Sequence, residues 1–269
     1  MSTLKLPYVL LQSAPIGPIA LEALMHAGYS PRLVIDNPKL STEELVVMIE
    51  QAEPTFLLVV GFGAILKRDV LDTVAGQVLN IHPSMLPEYR GPAPVVQALL
   101  DGVRETGVSL MEIDTKMDHG PVLAQERHPL RCDELPDELY QILTKRGVQL
   151  FLENIDDYLE ERLTPTEQNH LEASFSHFIK KEDGRLDFSK PADELEREIR
   201  AYAGWPRSYT EWKKKRLIID KARLSGGKLK IEKVQPEGGK VMELTDFLAG
   251  QRIKEEEFYT TLGLEAPNL

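Results

Sequence analysis

Short, solidly apolar runs alternate along this chain with stretches whose apolar positions recur at helical spacing. PYVLLQ (7–12) precedes a helix through PIALEALMHAG, and PRLVID (31–36) precedes one through STEELVVMIEQA. TFLLVV (55–60) precedes LKRDVLDTVAG, and QVLNIH (77–82) precedes PAPVVQALLDG. Strands that are apolar throughout, each followed by an amphipathic helix, predict a parallel sheet covered on both faces. Two further strands, GVSLMEID (107–114) and VLAQERHP (122–129), are joined by a loop that carries Asp118. A long helix from Pro136 to Leu159 keeps Leu139, Ile142, Leu143, Val148, Leu150 and Leu152 on a helical period. The expected fold class is therefore α/β, an open, mainly parallel, twisted sheet of Rossmann-like form. ERLTPTEQNHLEA (161–173) is polar, has no strong period and reads as a linker. The expected domains are 1–160, a linker over 161–175, and a smaller β-rich domain over 176–269.

Composition narrows the class. The longest apolar run, FLLVVGFGAIL (56–66), falls well short of the roughly 20 residues a membrane span needs, so it reads as a buried strand and its loop. Charged residues at 28% and apolar residues at 42% are the usage of a folded, water-soluble chain. MSTLKLPYVLLQSAP has too brief an apolar run for a signal peptide, and Cys132 has no second cysteine to pair with, so a cytoplasmic location is expected. A net charge of -11 excludes non-specific nucleic-acid binding by the whole surface but not by a local patch.

Candidate chemistry collects in VLNIHPSMLPEYRGPAP (78–94), where an apolar strand ends in Asn80 and His82 and then breaks into four prolines, a serine and an arginine. Alternate strand residues share a face, so Asn80 and His82 project together at the carboxyl end of a strand, where open α/β sheets bind ligands. One supplies an amide donor and the other an imidazole that exchanges protons near neutral pH. Asp118, in the glycine-flanked DTKMDHGP, is the carboxylate that could orient the imidazole and favour its charged form. Amide, imidazole and carboxylate suit acyl transfer, in which an oxyanion develops and the nucleophile sheds a proton. Asn-x-His at a strand end also serves capping and packing, and His119 competes with His82 for the carboxylate. The Gly-x-Gly of GFGAIL (61–66) lets backbone approach a flat ring, or simply turns strand into helix. His26, His128, His170 and His177 lack metal-ligand spacing, so no metal is expected, and Cys132 lacks the nearby base of a nucleophile.

LNIHPSMLPEYRGPAP and ETGVSLMEIDTKMDHGPVLAQ (105–125) resemble the folate-dependent formyltransferase family. KKEDGRLDFSKPADELEREIRAYAGWPRSYTEW (180–212) and VQPEGGKVMELTDFLAG (234–250) resemble its methionyl-tRNA branch, and the resemblance runs from about Leu57 to Gly250. It implies direct formyl transfer from 10-formyltetrahydrofolate to an amine, in translation initiation if that amine is methionyl-tRNA. It places the catalytic trio on Asn80, His82 and Asp118. Folate contacts fall on Phe62, Gly63, Ala64, Ile65 and Leu66, on the turn Ser84, Met85, Leu86 and Pro87, and on Thr115, Lys116 and Met117. The smaller domain would be OB-like.

Departures from the family concern the acceptor. QSAPIG (12–17) sets Ile16 where the family has phenylalanine, and VIDNPK (34–39) runs into the next helix without the family's basic, glycine-rich loop. IDKARL runs almost directly into SGGKLKIEKVQPEGG, which shortens the OB-like domain. Against this, residues 207–233 hold ten basic and three acidic residues, a local net of +7 that leaves -18 for the rest. Arg207, Lys213, Lys214, Lys215 and Arg216, with Arg90 beside the active-site strand, are the candidate RNA contacts, although such lysines also suit a solvated hairpin. The acceptor is read as methionyl-tRNA, with an amino-sugar nucleotide, or a non-catalytic folate- or RNA-binding module, as alternatives. No membrane and no obligate protein partner are expected.

Overall fold

The computed structural model describes residues 6–75 and 77–267. Two compact units emerge: Met1–Val95 with Arg104–Leu130 and Asp137–His177, and Val96–Val103 with Arg131–Pro136 and Phe178–Leu269. The elements of the first half are β1 (Tyr8–Gln12), α1 (Ile16–His26), β2 (Leu33–Ile35), α2 (Thr42–Ala52), β3 (Phe56–Val60), α3 (Arg68–Leu71), β4 (Val78–His82), α4 (Pro94–Asp101), β5 (Glu105–Glu112), β6 (Val122–Pro129) and α5 (Pro136–Leu159). The six strands form one sheet in the order β2-β1-β3-β4-β5-β6, parallel from β2 to β4 and antiparallel through β5 and β6.

All residues of β1, β3 and β4 are buried, which is why these strands are mostly apolar and do not alternate, with Gln12, Asn80 and His82 as the polar exceptions. One face of the sheet, with Val9, Leu11, Leu57, Val59 and Val78, packs on Leu45 and Ile49 of α2 and Val70 and Leu71 of α3. On the other face Tyr8 and Phe56 stack at 5.2 Å, and both meet Phe151 of α5. α5 can ride this close because it presents Gly147, where any Cβ would collide with Ile81 and Val108. α2 starts on a capping box, Ser41 accepting from the Glu44 N–H and Glu44 from the Ser41 N–H. LKRDVLDTVAG yields less helix than its pattern predicts: α3 gives way to a tighter turn over Asp72–Val74, and the Thr73 hydroxyl donates back to the Val70 carbonyl at 2.7 Å.

The strand order reverses between β1 and β3, so the loops after them flank the crevice in which such sheets hold ligands. That placement puts GFGAIL at the switch point and the end of β4 one strand away.

The second unit holds α6 (Ala192–Ala201), β7 (Tyr209–Trp212), β8 (Lys215–Ser225), β9 (Lys228–Pro236), β10 (Met242–Glu243), α7 (Leu244–Gln251) and α8 (Glu255–Thr261). Its antiparallel sheet runs β10-β9-β8-β7. Leu195 and Ile199 of α6 share a core with Leu217, Ile219, Leu229, Ile231 and Val234 of the strands and with Phe247, Phe258 and Tyr259 of the last two helices. Two-residue turns close both long hairpins: Gly226-Gly227, and Lys213-Lys214, where two lysines adopt φ of 50° and 65°.

Candidate functional site

The side chains of β4 divide between the faces of the sheet. Ile81 lies against Gly147 of α5, so Asn80 and His82 project to the opposite face at the carboxyl end of the strand. Both are nearly closed to solvent. His82 Nε2 is 3.1 Å from the Tyr89 carbonyl, which can only accept, so that nitrogen carries a proton. Nδ1 faces Asp118 Oδ1 at 3.6 Å, too long for a hydrogen bond but close enough to leave the carboxylate as the nearest acid beside the ring. Asp118 Oδ2 accepts the Gly91 N–H at 2.7 Å, which fixes the carboxylate. Asn80, among the described residues, has its side-chain amide engaged by no partner. With both imidazole nitrogens of His82 facing other groups, the uncommitted Asn80 amide is the donor left for a bound oxygen.

Asp118 sits in the loop between β5 and β6 with φ of 49°. Gln168 Nε2 donates to the carbonyls of Asp118 at 3.0 Å and Gly120 at 2.7 Å. Gln168 Oε1 in turn accepts from Arg90 Nε and Nη2, at 3.1 and 2.6 Å. Arg90 Nη2 also donates to His170 Nδ1 at 2.8 Å, and the His170 ring stacks on that of His119 at 3.9 Å. His119 is itself turned to Asp114, 2.6 Å away, so the competitor named by the sequence addresses a different carboxylate. Burial pulls the Arg90 guanidinium below its ordinary pKa, with Asp118 and Asp114 opposing. Loss of solvent, then the charges of His119 and Arg90, holds His170 below the usual imidazole range, in keeping with Nδ1 as acceptor.

The turn at 84–87 is pinned by side chains of the neighbouring strands. Ser109 of β5 donates to the Ser84 carbonyl at 2.6 Å and accepts the Leu86 N–H at 3.1 Å. Gln125 of β6 donates to the Leu86 carbonyl and to Ser109 Oγ, each at 2.8 Å. In the loop after β3, Phe62 and Leu66 are core residues, whereas Ile65 is 65% exposed. Gly63 has φ of 77°, and a Cβ there would meet only Ser13 Oγ, so its backbone faces open space. Ala64 is half-buried, Thr115, Lys116 and Met117 are exposed, and Met85 is half-buried over Gly107. The first unit thus brings Asn80, His82, Asp118 and the expected folate turn to one end of the sheet.

The structure spreads the candidate RNA contacts more widely. Arg90 is buried, its guanidinium held by Gln168 and His170. Arg207, just before β7, bonds Gln235 and Asp220 within its own unit. Lys221 and Arg223 pair with Glu232, Lys228 with Glu265 and Lys233 with Glu243. Arg216 lies 3.9 Å over the Tyr209 ring and Lys213 5.7 Å from the Trp212 ring. Lys213, Lys214, Lys215 and Arg216 have no ion pair with another described residue, so the free charge concentrates at the β7–β8 turn. Sequence reasoning missed Ser109, Gln125 and Gln168; only the alternation of β5 and β6 could have flagged the first two. Among the described residues no helix is long and apolar enough to cross a membrane, and no three metal-ligating side chains converge.

Comparison with known proteins supplies context. The Formyl transferase family model matches residues 12–155, and the model of the formyl transferase C-terminal domain matches 178–228. A methionyl-tRNA formyltransferase of Roseiflexus castenholzii is 37% identical over 232 residues, covering 77% of this chain and 74% of the relative. That of Myxococcus xanthus is 35% identical over 242 residues, covering 82% and 78%. Among solved structures, the methionyl-tRNA formyltransferase of Clostridium thermocellum superposes with a TM-score of 0.65 at 18% identity, over 88% of this chain and all of that one. HypX of Aquifex aeolicus in complex with tetrahydrofolic acid gives 0.67 at 19%, over 91% of this chain and 47% of the longer HypX. The Helicobacter canadensis N-formyltransferase, in complex with folinic acid and dTDP-3-aminofucose, gives 0.64 at 21%, over 89% and 98%. At these identities the structural likeness establishes the fold.

Proposed function

The chain belongs to the formyl transferase family, and we propose that it transfers a formyl group from 10-formyltetrahydrofolate to the amino group of methionyl-tRNA. The observation that carries this reading is the buried Asn80, its amide uncommitted, beside a His82 whose second nitrogen faces Asp118. The neutral amine attacks the formyl carbon, forming the new C–N bond. The Asn80 amide donates to the resulting oxyanion with His82 beside it, and Asp118, facing the imidazole, receives the amine proton, directly or through water. Collapse breaks the bond to the folate nitrogen, which leaves with the proton that Asp118 took from the amine. No covalent enzyme intermediate is needed.

The surroundings fit a folate. Open backbone at Gly63 leaves room for a flat heterocycle, and the turn at 84–87, its main-chain groups engaged by Ser109 and Gln125, is a rigid surface. The test incubates purified protein with 10-formyltetrahydrofolate and methionyl-tRNA and follows formylmethionyl-tRNA by acid gel. Product formation that depends on Asn80 and His82 supports the reading, and its absence at low salt with folded protein refutes it.

A second reading is favoured by one feature. The chain passes from Ile35 to the Ser41 cap of α2 in five residues, with no room for the basic loop by which the resemblance implies an acceptor stem is gripped. An amino-sugar nucleotide would need no such loop. Running the same assay with dTDP-linked amino sugars separates the two.

A further inference from the structure

Gln168 lies in the polar stretch whose pattern reads as a linker, yet its side chain is buried and its hydrogen-bonding atoms address two other segments. Arginine only donates, so Gln168 Oε1 must face Arg90, and Nε2 is thereby aimed at the carbonyls of Asp118 and Gly120. The orientation of the amide is fixed by its partner. Residues 90 and 91 then grip Asp118 from two sides: Arg90 acts through Gln168 on its main chain, and the Gly91 N–H acts directly on its carboxylate. The segment that carries Gln168 is itself anchored. Thr166 pairs with Val122, Ser174 Oγ accepts the Tyr89 N–H at 2.9 Å, and Ser176 Oγ accepts the Ala93 N–H at 3.1 Å.

We propose that Gln168 is a positioning residue for the transfer reaction: its carboxamide, oriented by Arg90, holds the Asp114–Gly120 loop so that Asp118 stands beside His82. This rests on the formyl-transfer reading, from which the role of Asp118 derives. Asp118 adopts a left-handed φ of 49°, uncommon for a non-glycine residue though tolerated by Asp, and the hydrogen bonds from Gln168 to the Asp118 and Gly120 carbonyls hold the loop in it. A shift of the loop would lengthen a His82–Asp118 separation already beyond hydrogen-bond range.

The competing explanation is that Gln168 merely satisfies a buried arginine, and one substitution separates the two. Gln168→Glu keeps the size of the side chain and strengthens the contact to Arg90, but it removes both N–H donors and sets an oxygen against two carbonyls. Gln168→Ala removes everything. Three quantities are measured on the full chain: kcat and KM with 10-formyltetrahydrofolate and the acceptor the wild type uses, the thermal midpoint, and amide hydrogen exchange over residues 114–120. Positioning predicts that both variants lose about 10- to 100-fold in kcat while KM for the folate stays within about threefold, and that exchange in 114–120 accelerates in both. Wild-type kcat and wild-type exchange in Gln168→Glu would overturn the proposal, because Arg90 is satisfied there and the donors are gone. If Gln168→Ala does not fold, Gln168→Glu decides alone. If the wild type formylates neither acceptor, the reading of function falls, and the exchange measurement still establishes whether Gln168 holds the loop.

Discussion

At the scale of single residues the site is a division of labour among groups that differ in what they are free to do. The Asn80 amide is buried and open, the Nε2 proton of His82 is bound to Tyr89, and Asp118 is gripped at both ends. Asn80→Ala removes one oxyanion donor, a loss of about 3 to 4 kcal/mol in comparable sites, so kcat should fall by roughly 100- to 1,000-fold with little change in folate affinity. Single-turnover transfer in folded protein checks this, and near-wild-type turnover would remove Asn80 from the chemistry. Asp118→Asn keeps the shape and an acceptor for Gly91 but not the carboxylate that faces His82 and takes up the amine proton. It should therefore cost as much in kcat as His82→Ala, and a full rate in Asp118→Asn would show that the carboxylate only shapes the loop. Asn80 and His82 were legible in the sequence because a strand's two-residue period puts them on one face, and Asp118 because its loop is short and glycine-flanked. Gln168 was not: its partners lie 48, 50 and 78 residues away, and no local period records such a contact.

At the scale of elements, the folate site is expected to be backbone whose shape is imposed by other parts of the chain. Valine at Gly63 would force a β-branched residue to a φ of 77°, and the loop would rearrange although nothing but Ser13 Oγ stands in the way. Calorimetric titration with a folate should show weaker binding by tenfold or more, roughly the 1 to 3 kcal/mol of such strain. Ser109→Ala acts from a distance. It leaves the Leu86 N–H and one Gln125 donor without a partner, each costing about 1 to 3 kcal/mol if buried, so the 84–87 turn should loosen and folate affinity fall while the acceptor's KM holds. Unchanged titrations would mean the turn only caps a strand. The strands and long helices themselves were legible because burial on both faces writes solid apolar runs and a single buried stripe writes a helical period. α3 was the exception, since a hydroxyl returning to its own turn competes with helix in a way no hydrophobic period reveals.

At the scale of the whole molecule the issue is electrostatic, for a chain of net charge -11 is proposed to bind a polyanion. The sequence showed ten cations between Arg207 and Lys233, but the fold neutralises half: Arg207, Lys221, Arg223, Lys228 and Lys233 each face a carboxylate in their own unit. Sequence counts charge and cannot see pairing, because the partners come from opposite strands or from the segment after α8. Of the five without ion pairs among the described residues, Lys230 lies on β9 and four cluster at the Lys213-Lys214 turn, with Lys215 and Arg216 beside it, two of them held at positive φ where glycine or asparagine is usual. Affinity for methionyl-tRNA should accordingly fall with salt along a slope of about 4 in log-log form, well below the count of ten, since each phosphate neutralised releases counterions. Changing Lys213, Lys214 and Lys215 together to alanine should flatten that slope by about 2 to 3 and leave folate binding as it was. A triple variant with an unaltered slope would place the phosphate contacts elsewhere. A protein that formylates an amino-sugar nucleotide and ignores methionyl-tRNA at low salt would make the turn a solvated surface, with the acceptor set by the loop missing before α2.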